Sequence, residues 1–337
     1  MRDVAAAASV SLMTVSRVVN GEPGVQPETA ARVERAIRRL GYQRNDMARQ
    51  LRSKGQLTHT IGVLVDDLSN PFFATLASAV EDAARQRKYV VLIGSSGDSL
   101  RREREVISAF CARRVDGLIV VPAAGSHRFL RDQLAAGTRV VCVDRPADGL
   151  RVDTVVVDNR QGTRGAVTHL LDRGHRRIGY LGDRDDLWTV QERYAGFAEA
   201  LATVDLTPDP ALVVHGLPSR DSAAVAAAAL TQLADPPTAL FASNDIMTMG
   251  AIDGLHGRAD SVALVGFDEF SLADKLTPRV TVVAQDPAAI GATAAQLLFA
   301  RIGGDTSPPR DVVLLTRLMV RGSGEIAPVA QARSSGI

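Results

Sequence analysis

From residue 60 to residue 157 the chain alternates five short, β-branched runs with amphipathic segments, and this alternation limits its possible folds more than any other feature. The runs cover residues 61–65, 90–93, 117–121, 140–143 and 154–157, and the segments between them include residues 73–87, 101–113 and 127–136. Runs that are apolar at every position, not every second one, suit strands covered on both faces, and parallel strands need a helical crossover between them. A doubly wound α/β unit follows. A second is predicted from strands at 178–181, 212–214, 239–242 and 262–266 and helices at 160–172, 189–201, 222–233 and 245–255. A further helix over 287–302 and runs at 312–315 and 318–320 are expected to return to the first unit and then touch the second. Two such lobes imply a cleft, and open parallel sheets bind ligands just beyond the carboxyl ends of their strands.

A length of 337 residues, with 46% hydrophobic and 23% charged side chains, allows more than one core and two or three domains. No apolar run approaches the roughly 18 residues of a membrane span, and the start, Met-Arg-Asp-Val, lacks the apolar stretch of a secretory signal. A cytoplasmic location away from membranes is expected. Cys111 and Cys142 stand apart in apolar settings, which suits buried reduced thiols better than a disulfide or a metal site. The net charge of +1 is unevenly spread: the first 60 residues hold ten Lys and Arg against five Asp and Glu, leaving the remainder at −4. A small basic head on a mildly acidic body fits nucleic-acid binding by the head, although solvated basic helices produce the same imbalance.

Residues 10–20 read Val-Ser-Leu-Met-Thr-Val-Ser-Arg-Val-Val-Asn. Ser11 can cap a helix in which Val15, Val18 and Val19 fall on one side while Leu12, Met13, Ser16, Arg17 and Asn20 point outward. Residues 3–8 can form a preceding helix with Val4 and Ala8 turned toward those valines, so the pair reads as a helix-turn-helix. Short hydroxyls such as Ser11 and Thr14 reach phosphates or base edges, and an arginine grips guanine with two donors, so the outward face suits a major groove. An ordinary amphipathic helix in a small bundle has the same pattern. A third helix is predicted over 27–40, with Ala30, Val33, Ile37 and Leu40 inward and Gly41 ending it.

Asp-Val-Ala at 3–5, Ser-x-x-Thr-Val-Ser-Arg-Val-Val-Asn-Gly at 11–21 and Arg-Arg-Leu-Gly-Tyr at 38–42 combine identity, spacing and order, and this segment resembles the headpiece of the lactose/galactose-repressor (LacI/GalR) family. Further matching phrases extend the resemblance over nearly the whole chain. They are Asp67-Leu68-Ser69-Asn70-Pro71-Phe72-Phe73, Arg114-Val115-Asp116-Gly117-Leu118-Ile119, Asp158-Asn159, Gly174-His175-Arg176-Arg177-Ile178, Ser243-Asn244-Asp245, Val265-Gly266-Phe267-Asp268 and Arg321-Gly322-Ser323. The resemblance implies an N-terminal all-α helix-turn-helix headpiece (1–44), a hinge helix and linker (45–59) and an effector-binding and dimerisation domain (60–326). That domain would consist of two doubly wound parallel-sheet α/β lobes of periplasmic-binding-protein type. Lobe 1 would take about 60–156 and 287–314, lobe 2 about 157–284 and 315–326, before a small, polar, disordered tail (327–337).

Asn45 can cap a helix of about two turns over residues 46–52, too short to persist alone in water. Without the family, this stretch reads as a linker with a transient turn. By the resemblance it is the hinge helix, with Leu51 wedging a base step in the minor groove while Arg49 and Arg52 hold phosphates or groove walls. Departures from the family pattern are a first helix without its usual lead-in and cap, Ser9 at a turn position usually held by glycine, Gln26 where a serine caps, and Arg44 where a proline precedes the hinge. Residues 254–261 are also fewer than the pattern has, with distortion of the pocket wall expected.

Matching the motifs residue by residue puts Phe72, Phe73, Asp144, Arg193, Asn244, Asp268 and Gln285 around the inter-lobe cleft. Asp144, Asn244 and Asp268 each follow a predicted strand, where carboxylates and amides hydrogen-bond a polyol; Asn244 and Asp245 equally suit capping the helix that follows. Arg193 would donate to ring or hydroxyl oxygens, and an aromatic face would cover a sugar ring. Two carboxylates against one arginine disfavour an anion. A neutral sugar is therefore the expected effector, with a nucleobase stacked on Phe72 as the runner-up.

A nucleotide-dependent enzyme would share the doubly wound sheet, yet there is no Gly-x-Gly-x-x-Gly after the first strand, no Gly-Lys-Ser/Thr loop and no Gly-x-Ser-x-Gly elbow. His175, just before a strand, suits a structural turn better than a catalytic base. A solute-binding protein would share the clamshell but leave residues 1–55 unexplained. The expected protein is a ligand-responsive transcriptional repressor, a homodimer on a near-palindromic double-stranded DNA operator, with no catalytic residue, metal or cofactor.

Overall fold

The computed structural model describes residues 1–42 and 57–328. It divides into two compact units, Met1–Thr58 and His59–Ile337. Among its described residues the first unit holds three helices, α1 (Arg2–Ala8), α2 (Leu12–Asn20) and α3 (Pro27–Leu40). Val4, Ala8, Val15, Val33 and Ala36 are buried among them, with Val18, Val19, Ile37 and Tyr42 packed at the margin. Ser9 takes the left-handed conformation, φ 52°, while the Val10 N–H closes the end of α1 on the Ala5 carbonyl at 3.0 Å. A serine there is strained by about 1 kcal/mol relative to glycine. Gln26 makes no side-chain cap bond, and Pro27 begins α3 instead.

The inner face of α3 differs from the expected one at two positions. Ala36 is buried, whereas Leu40 is 45% exposed. At 1.5 Å per residue, α1 and α2, of seven and nine residues, are too short to cover all of a 14-residue helix, and its last turn is left bare.

Among its described residues the second unit holds two six-stranded sheets. The first contains β1 (Thr60–Val65), β2 (Val90–Ser95), β3 (Gly117–Val120), β4 (Arg139–Val143), β5 (Asp153–Val157) and β11 (Asp311–Leu314) in the order β11-β5-β4-β3-β1-β2, all parallel. The second contains β6 (Ile178–Leu181), β7 (Val213–Val214), β8 (Ala239–Ala242), β9 (Ala263–Phe267), β10 (Thr281–Ala284) and β12 (Arg317–Met319) in the order β12-β10-β9-β8-β6-β7. Helices α4 (Pro71–Gln86), α5 (Leu100–Ala112), α6 (Leu130–Ala135), α7 (Asn159–Asp172), α8 (Trp188–Ala202), α9 (Arg220–Leu230), α10 (Asp245–Gly254) and α11 (Pro287–Ile302) connect the strands.

Three details depart from expectation. β12 runs antiparallel to β10, so the second sheet is mixed. Only Leu315 and Thr316 lead from the carboxyl end of β11 into β12, so the chain enters the second sheet from the carboxyl end of its parallel strands and runs against them. β2 is an edge strand, which leaves Val90 and Ile93 exposed, and β10 has no counterpart among the predicted strands. Cys142 is buried and Cys111 only half-buried, both as free thiols.

The chain crosses between lobes three times, near residues 158, 285 and 315. Asp158 ties two of these crossings: its amide donates to the Leu314 carbonyl at 3.1 Å, and its carboxylate accepts from the Thr316 amide at 2.7 Å. α11 packs on α4 so closely that a Cβ on Gly291 would stand 2.4 Å from the Leu76 carbonyl oxygen, so only glycine fits there. Among the described residues no helix is long and apolar enough to cross a membrane.

Candidate functional site

In the headpiece, Ser11 caps α2 by accepting the Thr14 amide at 3.1 Å, and the two hydroxyls lie 2.9 Å apart. Both side chains therefore serve the helix as well as any partner. Leu12 and Met13 are 47% and 67% exposed, Arg17 is exposed, and Thr14 and Ser16 are half-buried. Leaving two large apolar side chains in water at the start of a small helix is unfavourable unless another surface covers them. Asn20 ends α2. Asn45, Arg49, Leu51 and Arg52 lie outside the described residues.

In the second unit, all seven residues expected at the cleft line one cavity of about 80 Å³: Phe72, Phe73, Asp144, Arg193, Asn244, Asp268 and Gln285. Most of them come from loops just past the carboxyl ends of strands or from the starts of helices, and Arg193 from the second turn of its helix; both sheets contribute. Asp144 follows β4 and Asp268 follows β9. Arg193 sits on α8, where three bonds hold it. Its Nε donates to Asn159 Oδ1 at 2.8 Å, and its Nη1 donates to the Ser243 carbonyl at 2.6 Å and to Asp268 Oδ2 at 3.4 Å. The guanidinium also lies 3.7 Å from the centroid of the Phe267 ring, a cation–π contact. Gln285 donates to the other oxygen of Asp268. Its own Oε1 is buried with no partner among the described residues, an acceptor open to a ligand hydroxyl.

Asn244 is a helix cap, its Oδ1 accepting the Met247 amide at 2.8 Å, and it also donates to Asp183 at 3.2 Å. Asp245 accepts from the Ile246 amide and, across the cleft, from Asn70 at 3.4 Å. Arg184 makes a second crossing bond, to the Asp98 carbonyl at 3.2 Å. The phenylalanines meet edge to face with centroids 5.1 Å apart. Phe73 is buried and belongs to the lobe core, which leaves half-buried Phe72 as the aromatic face of the cavity.

The sequence motifs did not single out Asp66, Asp98, Arg145 and Asp183, which also line the cavity. Arg145 pairs with Asp144 at 3.1 Å and Asp98 at 2.9 Å while almost fully buried. Among the described residues the cavity thus carries six aspartates and two arginines, a more acidic balance than two against one. Burial pushes Asp268 up to about 6, opposed by Arg193 and reinforced by Asp245. Burial and the neighbouring Asp98 raise Asp66 to about 6, and burial also raises Asp183 and Asp245. Such a site accepts hydrogen bonds and repels anions. The order Asp144-Arg145 directly after a strand was the available signal for Arg145, and Asp66, directly after the 61–65 run, carries the same positional signal; Asp98 lies five residues beyond the 90–93 run and carries none.

Residues 254–261 line no part of the cavity. His175 is fully buried, with Nδ1 2.8 Å from Thr238 Oγ1 and Nε2 2.8 Å from the Ile326 carbonyl, and burial lowers its pKa. It ties Ile326, beyond β12, to Thr238, just before β8, and does not line the cavity.

Residues 1–45 match the family model for bacterial regulatory proteins of the lacI family, and residues 167–324 match that of a periplasmic binding protein-like domain. The catabolite control protein A of Priestia megaterium is 32% identical, over 95% of this chain and 98% of that one. A transcriptional regulator CelR–cellobiose complex is similar at 32% identity and a TM-score of 0.71, over 95% of this chain and 98% of that one. The lac repressor dimer bound to operator and the anti-inducer ONPF is similar at 25% identity and a TM-score of 0.81, over 96% and 98%. With a helix-turn-helix whose second helix is exposed in one unit and an acceptor-lined cavity in the other, the chain belongs to the lacI family of bacterial regulatory proteins and is a ligand-responsive, DNA-binding transcriptional repressor, not an enzyme.

Proposed function

We propose that this repressor acts in the cytoplasm as a homodimer on a near-palindromic operator, and that a neutral sugar or sugar derivative held between its lobes sets its DNA affinity. The observation that carries the effector class is the cavity itself: six aspartates, Gln285 Oε1 and the half-buried ring of Phe72 against two arginines already engaged with carboxylates. Hydroxyl donors match those acceptors, and an apolar sugar face matches the ring. That the similar regulator CelR was solved with cellobiose agrees with this chemistry.

One headpiece reads too few base pairs for specificity in a genome, which favours a dimer with paired half-sites about 34 Å apart. The similar lac repressor was solved as a dimer on its operator. Ser11, Leu12, Met13, Thr14, Ser16, Arg17 and Asn20 would face the major groove, and Leu51, with Asn45, Arg49 and Arg52 about it, the minor groove. Residues 1–44, 45–59 and 60–326 would act as headpiece, hinge and effector domain. A ligand touching both lobes selects one closure angle, and the response is limited by its differential affinity for the two states.

Phe72 also supports a second reading, a nucleobase stacked on its ring. A thermal-shift panel of sugars and nucleobases, followed by mobility-shift assays on DNA selected from a random library, separates the two. Stabilisation by nucleobases alone would overturn the sugar reading.

A further inference from the structure

The cavity of about 80 Å³ is small beside the roughly 300–1,000 Å³ of most small-molecule sites. A second chamber of about 280 Å³ adjoins it, and Arg145 and Leu187 line both. Its chemistry is different. Pro146, Ala147, Ala123 and Trp188 make an apolar lining, with Asp148 and Gln191 among the polar groups. Trp188, the single tryptophan of the chain, opens α8, the helix that carries Arg193 into the inner cavity.

The opposite wall, the loop after β3, is anchored from within the first lobe. Glu103 is fully buried and accepts the Ala123 amide at 2.6 Å, while His127, also buried, lies 3.0 Å from its other oxygen. A carboxylate buried in this way is costly unless paired and bonded, and here it holds a wall of the outer chamber in place. An indole beside small apolar side chains, with acceptors among them, suits the flat apolar face of a sugar ring whose hydroxyls remain at the edge.

Resting on the sugar reading above, we propose that the effector is a disaccharide, with one ring among the inner carboxylates and the second against Trp188 in the outer chamber.

The test uses the full-length protein with glucose, galactose, cellobiose, maltose, lactose, adenosine and cytidine, followed by thermal shift and by the emission of Trp188. The expected result is that at least one disaccharide reaches half-saturation at a concentration ten or more times lower than its component monosaccharide and alters the tryptophan emission. Trp188→Ala should lower that preference about tenfold, and Trp188→Phe should restore most of it. A monosaccharide that binds as well as any disaccharide, or a disaccharide preference untouched by Trp188→Ala, overturns the second subsite and leaves the sugar reading standing. Response to the nucleosides alone, or to nothing in the panel, overturns both.

Discussion

Asp144 and Asp268 hold the same place in the two lobes. Each follows a strand, takes left-handed backbone with φ of 69° and 72°, and donates its amide at 2.9 Å to a valine carbonyl of the next strand, Val155 and Val283. Each is paired with an arginine, Arg145 or Arg193. Non-glycine residues in this conformation are strained by about 1–3 kcal/mol and cluster at functional sites. Here the strain turns one carboxylate from each lobe toward the shared cavity, so a ligand bound to both spans the cleft.

The acidic cavity makes stability depend on pH in a stated direction. Asp66 and Asp268 have folded pKa values of about 6, above the usual 3.8. Their favourable contribution is therefore fully present below about 3.8 and is lost as pH rises through about 6. Asp66→Asn removes a group that is costly to ionise, so it should raise the melting temperature of the ligand-free protein at about pH 7.5 by roughly 2–4 °C. The gain should narrow at about pH 4.5. A gain that grows on acidification contradicts the assignment.

Arg193 supports the cavity as much as it lines it. Arg193→Met strands Asp268, Asn159 and the Ser243 carbonyl in a buried setting, and breaking a buried pair in this way costs about 3–5 kcal/mol. The variant should melt well below the wild type and lose its effector response. The double variant Arg193→Met with Asp268→Asn should recover part of the stability but none of the response, as read by thermal unfolding with and without ligand.

Ser9 carries strain that a glycine would not. Ser9→Gly should stabilise the headpiece by about 1 kcal/mol, visible as slower hydrogen exchange in α1 and α2. Unchanged or faster exchange would place the strain elsewhere.

Arg17 is the exposed basic side chain in the last turn of α2. Arg17→Ala should weaken operator binding by about 1–3 kcal/mol and relax the base preference at one position of each half-site. Titrations at several salt concentrations separate this from a phosphate contact, whose loss weakens all sequences alike and lowers the salt slope by about one.

Local pattern carried much of this protein. Continuous β-branched runs identify parallel strands because only strands covered on both faces tolerate them, and Ser11, Gly21 and Gly41 punctuate the helices through caps that need only neighbouring residues. The motif residues Phe72, Phe73, Asp144, Arg193, Asn244, Asp268 and Gln285 meet in one cavity because most of them lie next to the carboxyl end of a strand or the start of a helix, positions that pattern reveals. Other features depend on which distant segments meet. Val90 is exposed because β2 happens to be last in its sheet, and β12 runs antiparallel because it enters its sheet from the other lobe, whereas β10, within the β-branched run Val280-Thr281-Val282-Val283, did carry a local signal. Asp66 and Asp183 stand just past predicted strands, but nothing local shows that they and Asp98 are buried. Burial against both lobes, which no local spacing encodes, turns them into the acidic lining of the site.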